Sequence, residues 1–71
     1  MKRRFEFVSG SSAKFYEVYV SGNRVEIRFG RIGADGQSQV KTFDDHAAAQ
    51  AIANKVIQQK TGKGYSECVA A

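Results

Sequence analysis

A chain of 71 residues, 42% of them hydrophobic and 25% charged, holds one small core and no second, and its composition excludes disordered, collagen-like and coiled-coil classes. Its single cysteine, Cys68, excludes an intrachain disulfide, and with no leader-type apolar stretch after Met1-Lys2-Arg3-Arg4 and no membrane-length apolar run, the expected location is the cytoplasm with no membrane partner. The net charge of +4 lies wholly in residues 1–43, where eight Lys and Arg meet four acids, while three bases and three acids balance from residue 44 onward; such asymmetry suits an anionic partner, and it suits plain solubility equally well.

The first predicted strand covers residues 3–8 and breaks at Ser9-Gly10-Ser11-Ser12. Residues 14–20 are rich in aromatic and β-branched side chains, which fit a pleated, half-buried surface, and Ser21-Gly22-Asn23 turns the chain. In the next strand Val25, Ile27 and Phe29 alternate with Arg24, Glu26 and Arg28, giving one apolar and one charged face. Gly33-Ala34-Asp35-Gly36 closes it, with Asp-Gly expected at the positive-φ positions of a tight hairpin, and residues 37–43 return as the fourth strand. Asp44 or Asp45 then caps a helix running through Ala47-Ala48-Ala49 to about Lys60, with Gly62 as its stop. Ala48, Ala51, Ile52, Val56 and Gln59 form its expected inward stripe. The fold class is α+β: a small curled antiparallel sheet of about four strands covered by one C-terminal helix, in a single domain over residues 1–71.

The inventory of chemical groups argues against an enzyme. The only histidine, His46, sits at the helix start, where a solvated or capping role is ordinary, and one His with one Cys makes no metal site. Asp44 and Asp45 are explained by capping and the helix dipole. The glycines of Gly30-Arg31-Ile32-Gly33 have the wrong spacing for a dinucleotide fingerprint, and Thr61-Gly62-Lys63-Gly64 follows a helix where a phosphate loop precedes one. No catalytic residue, cofactor, metal or small-molecule substrate is expected. What remains reads as a nucleic-acid surface: Arg28-Phe29-Gly30-Arg31 with Lys14, Lys41 and Lys63. Arginine and lysine neutralise phosphates, an aromatic ring lies against sugar or base, and glycine admits a close backbone approach. Phe29 has a second reading, as a core residue continuing the Val25-Ile27 face, and Arg28 and Arg31 have one as solubilising charges.

Lys14-Phe15-Tyr16, Arg28-Phe29-Gly30-Arg31-Ile32-Gly33 with Gly36, Lys41-Thr42-Phe43, Ala48, and Lys60-Thr61-Gly62-Lys63-Gly64-Tyr65 resemble the WGR domain in order and spacing. This family, named for a Trp-Gly-Arg tripeptide, occurs in several poly(ADP-ribose) polymerases and in bacterial proteins similar to molybdate-metabolism regulators. The resemblance implies a stand-alone bacterial module that binds DNA at ends or breaks largely without regard to sequence. It puts Phe29 at the tryptophan position against sugar, Arg31 at the arginine position, and Lys14 on the backbone. Phe29 keeps a flat ring but lacks the indole donor, and Ala13 replaces an asparagine common in relatives. ADP-ribosylation is not implied, because it belongs to a different domain. The alternative is a protein-interaction adaptor that keeps the fold without DNA contacts.

Overall fold

Two short hairpins and a longer one lay down most of the sheet before the helix begins. In the computed structural model, which describes residues 2–68, the elements run β1 (Lys2–Ser9), β2 (Ser12–Ser21), β3 (Arg24–Arg31), β4 (Gln37–Thr42), α1 (His46–Gly62) and β5 (Ser66–Cys68). Met1 and residues 69–71, the two ends of the 1–71 domain expected from the sequence, lie outside the described residues. The strands form one antiparallel sheet in the order β4-β3-β2-β1-β5. This is the expected α+β architecture with one more strand. Only three residues long, β5 has no periodicity to announce it; the return from the helix lays it along β1, pairing Arg4 with Cys68 and Glu6 with Ser66.

Register assigns the two faces. Phe5 pairs with Tyr16 and Tyr16 with Phe29, while Val18 pairs with Ile27 and Val20 with Val25, so all of these side chains share the face covered by α1. There Phe5, Val18, Val25 and Ile27 meet Ala49, Ala53 and Ile57 of the helix in the buried core. The inward stripe is therefore rotated from the expected one: Ala48, Ile52 and Val56 flank it half-buried, and Ala51 and Gln59 are exposed. Two alanines at i and i+4 bring the helix axis close to the sheet, which a stripe led by Ile52 would not allow.

The helix start is fastened to a hairpin of the sheet, and the helix end closes on its own last turn. Asp45 is the N-cap, its Oδ1 accepting from the Ala48 N–H at 2.8 Å, and His46 Nδ1 donates to the Gly22 carbonyl in the β2–β3 turn at 2.7 Å. At the other end the Tyr65 N–H reaches the Lys60 carbonyl and the Gly64 N–H the Thr61 carbonyl, both at 3.1 Å. This is a Schellman ending in which Gly64, at φ +105°, takes the left-handed position, so Gly64 and not Gly62 stops the helix.

The sheet's other face carries a small closed cluster of its own. Phe15 points away from the helix yet is only 1% exposed. The β3–β4 connection, residues 32–36, folds over it, with positive φ at Gly33 and Gly36 but not at Asp35, so the hairpin is longer than an Asp-Gly turn. A Cβ on Gly36 would strike the Phe29 carbonyl and lie 2.8 Å from Phe15 Cζ, and one on Gly30 would lie 2.8 Å from Gly36 Cα. Arg4 and Arg28 stack their guanidinium groups over the Phe15 ring, 4.7 and 5.3 Å from its centroid. Among the described residues no helix is long and apolar enough to cross a membrane.

Candidate nucleic-acid interface

At the end of the sheet beneath the helix C-terminus, the helix-covered face opens into a groove of about 350 Å³ lined by Lys14, Phe15, Tyr16, Phe29, Gly30, Arg31, Lys60 and Tyr65. Each wall has a local cause. Lys14 and Arg31 are cross-strand partners on β2 and β3, one pair beyond Phe15 and Gly30. Phe29 stacks on Tyr16 with ring centroids 6.2 Å apart and planes 25° apart. Its ring is half-buried: it packs against the core cluster and also lines the groove, so both readings of Phe29 describe part of its surface. The Schellman ending swings Tyr65 back over the sheet, where its ring meets Phe7 at 5.5 Å. Between these rings lies the Lys60 ammonium, 4.6 Å from the Tyr16 centroid and 5.4 Å from that of Tyr65.

The groove's electrostatics are one-sided. Burial, with Lys63 and Lys14 close by, holds Lys60 below the ordinary lysine pKa range, and burial beside Tyr65 pushes the Tyr16 phenol up. None of the ion pairs among the described residues involves Lys14, Arg31, Lys60 or Lys63. Like charges directly opposite one another on a sheet are destabilising; Lys14 opposite Arg31 is such a pair.

Four of the seven residues singled out from the sequence, Lys14, Phe29, Gly30 and Arg31, converge here. Lys63, the C-cap residue, sits beside the groove and acts on Lys60 through its charge. Arg28 is on the opposite face as the partner of Glu17, its Nε 3.1 Å from Glu17 Oε1 and shielded from solvent without an aligned hydrogen bond. Lys41 shares the helix-side face but pairs with Val25, at the far end of β3. Gly30 has a packing reason for lacking a side chain, the backbone of Gly36. Sequence reasoning missed Tyr16, Lys60 and Tyr65 as a set, because only the helix ending and the β1–β2–β3 register bring them together. The signal was the Lys-Thr-Gly-Lys-Gly-Tyr run itself, which places a cation and a ring on either side of a helix stop. Among the described residues no group of three or more His, Cys, Asp or Glu is placed to hold a metal ion.

Comparison with known proteins gives a consistent picture. A family model described as WGR domain matches residues 1–71. Protein YehF of Escherichia coli is 43% identical over 65 residues, covering 92% of this chain and 24% of that protein. Protein YfeS of the same organism is 34% identical over 67 residues, covering 94% of this chain and 28% of its own length. A crystal structure of a Bacteroides fragilis protein superposes with a TM-score of 0.93 at 43% identity, over 97% of this chain and 20% of that one. The chain thus spans about a quarter of the length of the curated relatives it matches. With the matched residues, the sheet and helix, and the Phe29-Gly30-Arg31 tripeptide in agreement, the chain belongs to the WGR domain family.

Proposed function

We propose that residues 1–71 act as one non-catalytic, cytoplasmic module that binds DNA through its backbone and ends, largely independent of sequence. One observation carries this reading: three cations without acid partners among the described residues line a single groove with half-buried aromatic rings, and a fourth, Lys63, sits beside it. Lys14, Arg31, Lys60 and Lys63 meet phosphates, and Phe29 with Tyr16 offers a flat surface to the sugar or base at an end. Among the described residues the one helix, α1, is packed on the sheet through Ala49, Ala53 and Ile57, which accords with contact that ignores base identity.

Fluorescence polarisation with a labelled duplex across a salt series tests the reading. Contact by three or four of these cations gives a slope of log K against log salt of roughly −3 to −4, and a linear duplex binds more tightly than a closed dumbbell of equal length. A flat salt response overturns the phosphate mechanism, and equal affinity for the two shapes overturns the preference for ends. A second reading, a protein-interaction adaptor, draws on the opposite face, where Val8, Tyr19 and Val40 are all exposed and share one side of the sheet. A partner held there binds with little dependence on salt.

A further inference from the structure

Lys60 differs from every other lysine of the chain in its surroundings. Its amine is flanked by the Tyr16 and Tyr65 rings, opens into the groove, and has no carboxylate within ion-pair distance among the described residues. Lys14 and Arg31 line the same groove and Lys63 sits beside it. Lys55, on the same helix, is exposed and lies outside the groove lining. We infer that the groove makes Lys60 a preferred site of acylation by anionic acyl phosphates, with Lys14, Arg31 and Lys63 holding the donor's phosphate while the Lys60 amine takes its acyl group.

The chemistry needs an amine that is partly unprotonated and a donor that is locally concentrated. Burial and the neighbouring cations supply the first, by holding the Lys60 pKa below the ordinary range. The unpaired positive charge supplies the second, because an anion is drawn into a groove lined by one sign of charge. In the reaction the ammonium first gives a proton to solvent. The amine lone pair then forms a bond to the acyl carbon, the bond from that carbon to the bridging oxygen breaks, and inorganic phosphate leaves with that oxygen and the second amine proton. An amide and free phosphate result, with no change in oxidation state. Acylation deletes the charge at the centre of the cluster, so, resting on the DNA-binding reading above, it lowers affinity for phosphates at this groove.

The test follows site-by-site acetylation by mass spectrometry after incubation with acetyl phosphate near neutral pH. Lys60 should acetylate several-fold faster than Lys55; an equal or slower rate overturns the inference. Inorganic phosphate added as competitor should slow Lys60 without slowing Lys55, and a Lys14→Gln, Lys63→Gln variant of unchanged thermal stability should lose most of the Lys60 preference. Should the preference survive both, recruitment by the groove is refuted. Duplex binding by Lys60→Gln and Lys60→Arg is measured separately. Loss in the first and retention in the second supports the regulatory consequence; unchanged binding in both refutes it. If the parent binds no duplex at all, the DNA-binding reading fails while the acetylation rates still decide the modification site.

Discussion

The two faces of this sheet use the same kinds of residue to opposite ends. On the open face, the cations around Glu17 are matched: Glu17, 7% exposed, takes Arg4 at 2.8 Å, Arg28 at 3.1 Å and Lys2 at 3.5 Å, and Glu6 takes Arg4 at 3.0 Å. The arginines also roof Phe15. At the groove end of the helix-covered face, Lys14, Arg31, Lys60 and Lys63 gather around Tyr16, Phe29 and Tyr65 with no acid among them. Basic residues beside aromatic ones thus mean paired charge on one face and, among the described residues, unpaired positive charge at the groove on the other. The discriminating quantity is the presence of a partner acid, which the count of cations does not reveal.

Removing the centre of the open-face cluster is the strongest way to break this contrast. Phe15→Ala empties a fully buried site shared by Gly36, Arg4 and Arg28. It should cost about 3–5 kcal/mol, enough to threaten a domain whose total stability is of that order. Urea denaturation measures it, and a loss under ~1 kcal/mol would show that the open-face cluster around Phe15 adds little to the fold.

Phe29→Ala should cost less, about 2 kcal/mol, because the ring is only half-buried against the core cluster. The same variant should also weaken duplex binding by roughly 1–3 kcal/mol, the usual worth of a stacking ring. Phe29→Trp sharpens the point. A larger ring at the mouth of a groove has space on its open side, so this variant should fold normally and bind duplex ends more tightly than the parent. Thermal melts and end-binding titrations read the two effects, and a destabilised Phe29→Trp with no gain in affinity would place the whole ring in the core.

Glu17→Gln keeps the shape of the open face while removing the charge that holds Lys2, Arg4 and Arg28. Those cations retain access to water, with 58%, 31% and 41% of their side chains exposed, so the cost should be about 1–2 kcal/mol and not that of a fully buried pair. Burial alone would push the Glu17 carboxyl up, but the Arg4 hydrogen bond with the charges of Lys2 and Arg28 outweighs it and holds the group below the usual range. A depressed folded-state value means that its stabilisation is complete above the unfolded carboxyl value of about 4.3 and is lost as pH falls through the lower folded one. Glu67, lowered by Arg3, acts in the same direction. Acid melts of Glu17→Gln should therefore show a smaller loss below pH ~4 than the parent, and parallel curves would contradict the Glu17 assignment.

Period-two alternation, glycine-bearing turns and a capped alanine-rich segment made four strands and the helix legible, since each is a local consequence of side-chain shape and backbone freedom. The faces were harder. Alternation puts Arg28 on the charged side of β3 but does not say that Glu17 lies across from it; that follows from the β2–β3 register, which a turn longer or shorter by one residue would invert. The helix stripe was misplaced by about one position because alanines are apolar all round and give a weak moment, so contact with the sheet, not sequence pattern, selected Ala49 and Ala53. Lys14, Phe29, Gly30 and Arg31 of the groove were readable from the tripeptide and its neighbours. Lys60 and Tyr65 were not, because their place depends on which of two glycines ends the helix.

The smallest expected effects set the limits of the groove. On the DNA-binding reading proposed above, Lys14→Ala should reduce the magnitude of the salt slope by about one unit, the share of one phosphate contact. Arg28→Ala, although adjacent to Phe29 in sequence, removes a charge already committed to Glu17 on the other face, so the slope should stay at the parental value while stability falls slightly. Lys41→Ala should change neither. Lys41 stands opposite Val25, four residues along β3 from Phe29, or about 13 Å at the usual rise per residue, and that exceeds the screening length of about 8 Å at physiological salt. Side by side titrations of the three variants give the ordering, and a Lys41→Ala slope reduced as much as that of Lys14→Ala would extend the anion-binding surface along the whole face and remove the groove's special place in it.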